Sequence, residues 1–178
     1  MELTGMPLNM ERVKEVDGIL EKIIEDNRKV LNQSKLMEAF SYEMREKELT
    51  KRNAKLKKKV LKIEEVSWEF NPNSGDHVAA LLHDYIGFTV LSTTPTGKPA
   101  VGAEELEGHL ERSDNQEVKD IIQAIVNILE GIKIRGTFVA KFLEADEYDG
   151  WHYLFGSFNV GGTKSGRLSS SEPNLQNL

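Results

Sequence analysis

Asn9-Met10-Glu11-Arg12-Val13-Lys14-Glu15-Val16-Asp17-Gly18-Ile19-Leu20-Glu21-Lys22-Ile23-Ile24 opens the pattern that decides the fold class. Val13, Val16, Leu20, Ile23, Ile24, Val30 and Leu31 recur at spacings of three, four and seven, the period of an amphipathic helix. Asn9 offers a side-chain acceptor where an N-cap belongs. Val16, Ile23, Val30, Met37 and Met44 continue one sevenfold row, while the companion row of Val13 and Leu20 turns polar at Asn27, Ser34 and Ser41. The pattern predicts a helix through about residue 50, roughly 60 Å long at about 1.5 Å per residue. Such a helix buries its stripe only against a partner. Val118, Ile121, Ile122, Ile125, Ile128, Leu129 and Ile132 form the second strong helical pattern, the best candidate to pack antiparallel against the first.

The segments between and beyond these helices are shorter. No Gly or Pro interrupts the chain between Gly18 and Pro72, where Asn71-Pro72-Asn73-Ser74-Gly75 marks a turn. Ser74 or Asn73 can cap a short helix with Val78, Leu81, Leu82 and Tyr85 on one face, ending at Gly87. Thr93 to Pro99 reads as loop and Ala103 to Leu110 as a short acidic helix. Trp151, Tyr153, Phe155 and Phe158 favour strand. From Gly161 onward the chain is polar and aperiodic, and reads as loop. The fold class is therefore mainly α with a small β portion: long antiparallel helices, a short strand or hairpin segment and a loop-like C-terminal tail.

Composition narrows the function. Of the 178 residues 39% are apolar, enough for a real core, and no apolar run approaches the roughly 20 residues that cross a bilayer. The N-terminus, with Glu2 and no basic stretch ahead of an apolar one, does not read as a signal peptide. Absence of cysteine removes disulfides, thiolate metal sites and cysteine nucleophiles, and accords with a cytoplasmic setting. The net charge of −6 conceals segregation: residues 45–62 hold nine basic residues against two acidic, leaving 14 basic against 27 acidic elsewhere. A lysine run of this kind is either a solvated helix face or a phosphate-seeking patch.

The most specific string is Ser165-Gly166-Arg167-Leu168-Ser169-Ser170-Ser171-Glu172-Pro173-Asn174-Leu175-Gln176-Asn177-Leu178. It resembles the T-G-R-L-S-S-x-x-P-N-L-Q-N signature that precedes the first catalytic motif in family A (bacterial polymerase I-like) DNA polymerases, with Ser165 for Thr. Further strings resemble the family in the right order. They are Gly5-Met6-Pro7-Leu8-Asn9 at the entry to the first thumb helix and Phe70-Asn71-Pro72-Asn73-Ser74 opening the next thumb segment, especially in its phage-type form. Lys133-Ile134-Arg135-Gly136-Thr137-Phe138 follows at the end of the second long helix, and Gly156-Ser157-Phe158-Asn159 ahead of the signature. Phe155 stands where many members carry His.

The resemblance implies a thumb over residues 1–145, with a basic tip at 45–62, and a strand and minor-groove segment over residues 146–178 leading into a palm. It implies that primer-template DNA is the partner. Arg167, Asn174, Gln176 and Asn177 would reach minor-groove edges, where A·T and T·A pairs show nearly the same acceptors. Ser169, Ser170, Lys133 and Arg135 would contact backbone, positioning the duplex without specifying sequence. Lys51, Arg52, Lys55, Lys57, Lys58 and Lys59 would hold duplex phosphates, the alternative occupant of that tip being a processivity partner, as in phage members.

In the family, the paired metal-binding carboxylates lie beyond the signature, so no catalytic residue and no metal ligand is assigned here. Mg²⁺ belongs to the complete polymerase. The resemblance thus implies part of a DNA-directed DNA polymerase that works with a separate palm and fingers part and is inactive alone. His83-Asp84-Tyr85 and Asp146-Glu147-Tyr148-Asp149 read as surface, and the four histidines lack metal-ligand spacing. A helical protein-interaction module, or an inactive remnant of a disrupted polymerase gene, is the alternative.

Overall fold

The computed structural model describes residues 5–56, 60–159 and 169–171. In chain order come β1 (Met6–Leu8), α1 (Met10–Gln33), α2 (Lys35–Asn53), α3 (Gly75–Ala79), α4 (Ala103–Arg112), α5 (Gln116–Ile134) and α6 (Ala140–Leu143). Four short strands follow: β2 (Asp146–Tyr148), β3 (Trp151–Leu154), β4 (Ser157–Asn159) and β5 (Ser169–Ser171). The mainly helical class read from the sequence is the observed one. The chain divides into two compact units, one formed by residues 1–23 and 130–178, the other by residues 24–129.

The single helix expected through about residue 50 is two helices. Ser34 is extended (φ −73°, ψ 128°) and its Oγ accepts the Met37 N–H at 3.2 Å, so it caps α2 instead of continuing α1. Glu117, at the start of α5, holds the break from outside: its Oε1 accepts the Ser34 hydroxyl at 2.8 Å and the Leu36 N–H at 3.2 Å. The Ser34 hydrogen bond, followed by that from Leu36, keeps the Glu117 carboxyl below its ordinary value. A second contact, Asn127 Nδ2 donating to Asn27 Oδ1 at 3.0 Å, sets this part of α1 antiparallel to α5. The sevenfold row therefore packs in α2, where Met37 is buried, but not at the end of α1. Ile24 and Leu31 are buried, whereas Ile23 and Val30 in the row itself are exposed.

The core of the 24–129 unit is apolar and closely packed. Ile121, Ile122, Ile125 and Ile128 of α5 are fully buried with Leu81, Leu82 and Leu106. Each such side chain contributes about 1.5–3 kcal/mol relative to exposure. Ser74 caps α3 through its Oγ, which accepts from the His77 N–H. The helix then widens into a π-helical turn over Ala80–Tyr85, with the Ile86 N–H reaching the Leu81 carbonyl at 2.9 Å. Gly87, at φ +88°, ends it where expected. The surface expected of His83-Asp84-Tyr85 holds only for Asp84. Tyr85 packs on Phe40 at 5.2 Å, and His83 donates Nδ1–H to the Phe88 carbonyl at 2.9 Å. The widened turn swings both residues inward.

In the other unit, β1, β3 and β2 form an antiparallel sheet in that order, pairing Met6 with Leu154 and Tyr148 with Trp151. Asp149 (φ 50°) and Gly150 (φ 77°) make the two-residue hairpin turn, which needs two left-handed residues. β4 and β5 pair separately, Asn159 with Ser169 and Ser157 with Ser171. Ser169–Ser171 thus form a strand within the stretch read as loop. Main-chain pairing with β4 requires no apolar alternation, so periodicity gave no sign of it.

Candidate nucleic-acid interface

The Gly5–Asn9 string is folded as the start of the 1–23 segment. β1 takes its place beside β3, and Asn9 Oδ1 accepts the Arg12 N–H at 3.0 Å, confirming the cap expected for α1. Gly5 lies tightly against an aromatic side chain: a Cβ there would come within 2.7 Å of Phe155.

The Lys133–Phe138 string spans the passage from α5 into a π-helical turn over Arg135–Val139. Lys133 is exposed. Arg135 is engaged: Nε and Nη2 donate to Asp17 Oδ1 and Oδ2 at 2.6 and 3.0 Å, and Nη1 lies 3.8 Å from Glu21. The side chains of this pair are 32% and 24% exposed, so the fork is partly shielded from solvent. The Arg135 hydrogen bond holds the Asp17 carboxyl below its ordinary value against the opposing effect of burial. Gly136, next to Arg135 in sequence, is exposed, and among the described residues a Cβ on it would meet nothing within 4 Å.

The basic segment begins on the last turn of α2, which carries Lys51 and Arg52. Cations at a helix C-terminus also complement its dipole. Arg52 Nε donates to Glu48 Oε1 at 2.7 Å, one turn back, which lowers the Glu48 pKa. Lys51 and Lys55 are exposed. Asn53 then clasps the chain across the following loop: Nδ2 donates to the Leu61 carbonyl at 3.1 Å, and Oδ1 accepts the Leu61 N–H at 2.8 Å. Two such bonds copy the pairing of a strand neighbour and fix both ends of the lysine-bearing segment. Lys57, Lys58 and Lys59 lie outside the described residues, as do Arg167, Asn174, Gln176 and Asn177. Ser169 and Ser170 fall on β5, opposite Asn159 and Phe158.

The Phe70–Ser74 string forms a compact turn. Asn71 donates its N–H to His77 Nδ1 at 3.1 Å, and its Oδ1 accepts the Asn73 N–H at 3.0 Å. Sequence reading gave no sign of the Asp17–Arg135 fork, of the Asn53 clasp, or of an open cleft lined by Arg28, Arg45 and Trp68. Each joins residues whose partners are set only by folding. Asn53 had the sole local cue, a carboxamide directly ahead of a charged loop. Among the described residues, no three His, Asp or Glu side chains gather as a metal-binding group, and no helix is long and apolar enough to cross a membrane.

The geometry thus defines a mainly helical chain with small antiparallel sheets, with Lys51, Arg52 and Lys55 exposed at the end of α2. Residues 40–178 match the sequence profile of DNA polymerase family A. The chain is similar to DNA polymerase I of Bacillus subtilis, 34% identical over 126 residues, which is 70% of this chain and 13% of that protein. It is 32% identical over 144 residues to the thermostable DNA polymerase I of Thermus filiformis, covering 80% of this chain and 16% of the relative. With the DNA polymerase of Escherichia phage T5 it shares 35% identity over 111 residues, 61% of this chain and 12% of the other. The chain belongs to DNA polymerase family A. It spans about an eighth of the length of the curated relatives it matches.

Proposed function

We propose that this chain supplies the thumb-side, duplex-gripping part of a DNA-directed DNA polymerase and completes an active enzyme with a separate palm and fingers part. The observation that carries the reading is the family match over residues 40–178, which includes the whole Ser165–Leu178 signature. In this reading residues 1–145 are the thumb and residues 146–178 lead to the palm. Arg167, Asn174, Gln176 and Asn177 donate to minor-groove acceptors, while Ser169, Ser170 and Lys133 hold backbone. Arg135 has two of its donors on Asp17, so it offers a phosphate only the remaining edge of its guanidinium. Lys51, Arg52 and Lys55, with Lys57, Lys58 and Lys59, hold duplex phosphates at the tip. The exposed state of Lys51 and Lys55 and the Asn53 clasp support phosphate contact at this tip over a flexible linker.

Mg²⁺ enters with the palm, whose carboxylates would hold it and activate the primer 3′ hydroxyl. The setting is the cytoplasm, where the template lies. The test is reconstitution: primer extension by this chain alone, by the palm and fingers part alone, and by both. Extension only on mixing is expected, and extension by the pure isolated chain refutes the division of labour. Arg167→Ala should lower extension by the mixture more than it lowers duplex binding. Ile19 and Val30, both exposed on α1, favour the alternative of a helical interaction module. A salt-insensitive dimer indifferent to DNA in sedimentation would establish that reading.

A further inference from the structure

Apart from the residues assigned to the duplex, the 24–129 unit carries an open cleft of about 620 Å³. Its walls are the end of α1, the first half of α2 and the extended segment entering the Asn71 turn. That volume lies within the range of ligand pockets, about 300–1,000 Å³. Arg28 and Arg45 line the cleft, and neither guanidinium forms an ion pair or hydrogen bond among the described residues. The Nε of Arg45 is shielded from solvent yet unbonded. A buried donor left without an acceptor is a standing cost that a bound acceptor removes.

The third wall is aromatic. Trp68 and Phe70 line the cleft and are held by their neighbours: Trp68 stacks on His77 at 5.0 Å, and both rings meet the buried Phe40 edge-on, at 5.5 and 6.1 Å. A rigid aromatic wall beside cations is the arrangement on which single-stranded nucleic acid stacks. Glu38 and Glu69 also face the cleft. A plain anion would leave these carboxylates opposite like charge, whereas a nucleotide presents an anionic phosphate and a neutral base with amino donors. We propose that this cleft binds a nucleotide unit of single-stranded DNA. Its base lies against Trp68 and Phe70, its phosphate meets Arg28 and Arg45, and Glu38 and Glu69 accept hydrogen bonds from its exocyclic amino group.

The chain has two tryptophans, so Trp151→Phe leaves Trp68 as the only reporter. That variant is titrated with single-stranded dC and dT octamers, a blunt duplex and an octaglutamate peptide, with circular dichroism checking the fold. Saturable quenching by the dC octamer is expected, several-fold tighter than by the dT octamer, since thymine lacks an exocyclic amino group. Arg45→Gln and Arg28→Gln should each weaken it at least tenfold, and Lys98→Gln, which is outside the cleft and the duplex residues, should leave it nearly unchanged. Arg28 is exposed on α1, so its variant keeps the test decisive if Arg45→Gln fails to fold. Absence of quenching, an equal response to the duplex or to octaglutamate, or insensitivity to Arg28→Gln overturns the proposal. None of these outcomes bears on primer extension by the mixed parts.

Discussion

Adding one methyl group at residue 136 separates what the fold needs from what a bound duplex needs. Gly136 lies in the π-helical turn Arg135–Val139, has no positive φ and is exposed, and among the described residues a Cβ there would meet nothing within 4 Å. Glycine at a helical position costs roughly 0.5–1 kcal/mol relative to alanine, chiefly through the freedom of the unfolded chain. Gly136→Ala should therefore stabilise the protein, raising its melting temperature by about 1–4 °C at this chain length. Among the described residues nothing accounts for glycine here, but a closely approaching DNA backbone, next to Lys133, would. Overpacking of a filled contact costs about 1–3 kcal/mol, and about 1.4 kcal/mol is tenfold in affinity. Fluorescence anisotropy on a primed duplex should thus show binding roughly tenfold weaker or worse, together with the higher melting temperature. Gly87→Ala is the control: it too has open space, but its φ of +88° makes the substitution destabilising by about 1 kcal/mol. If Gly136→Ala is stabilising while duplex binding and extension are unchanged, nothing external lies against residue 136. If it is destabilising, the steric reading of the turn is wrong.

Asp17→Asn should cost about 1–2 kcal/mol by removing the charged partner of a partly shielded guanidinium, read from urea unfolding. Because the Asp17 pKa is lowered on folding, the wild-type contribution is present above its unfolded value of 3.8 and is lost as pH falls through the folded one; the Asn variant should lack that component of acid denaturation. His109 is 2% exposed and stacks on Phe88 at 4.8 Å, and burial foremost, then His83, lowers its pKa below 6.5. Its folded form binds fewer protons than the unfolded chain, so stability should hold above pH 6.5, decline as pH falls through that value and level off below the folded pKa. His109→Phe, which keeps the stack, should flatten that decline in urea midpoints measured across the range. For duplex binding, Lys51→Gln should reduce the slope of log affinity against log salt by about 0.9, whereas Arg52→Gln, whose guanidinium already answers Glu48, should change it less.

The helices were legible because their information is local. A stripe such as Val118, Ile121, Ile122, Ile125 and Ile128 specifies both an element and its buried face, and Asn9, Ser74 and Gly87 mark ends by their own chemistry. The break at Ser34 was not legible for the complementary reason. Serine is tolerated inside helices, and what tips it into a cap is Glu117, 83 positions away in sequence. Of the apolar pattern on α1, folding against α5, the partner expected from the sequence, buries Ile24 and Leu31 and leaves Ile23 and Val30 exposed. The inward turn of His83 and Tyr85 depends on a π-helical widening that residue spacing does not encode.

Charge shows the same limit at the level of function. Counting residues assigns a local surplus of seven to the 45–62 segment, but folding decides which cations can meet a phosphate. Arg52, itself exposed, donates to Glu48, and Arg135 is held by Asp17, whereas Lys51, Lys55 and Lys133 are exposed without a hydrogen-bonded carboxylate among the described residues. Arg135 turns two donors to a carboxylate of its own chain, a geometry that guanidinium matches better than ammonium does, and Arg52 turns one. The lysines, compact charges on flexible stems, are left for solvent or a partner. At these positions the arginines have a carboxylate of their own chain and the lysines do not, so equal formal charges are unequally available. Contact with a phosphate backbone needs charge density more than fixed geometry, so the proposed duplex reading rests on the lysines more than on the engaged arginines.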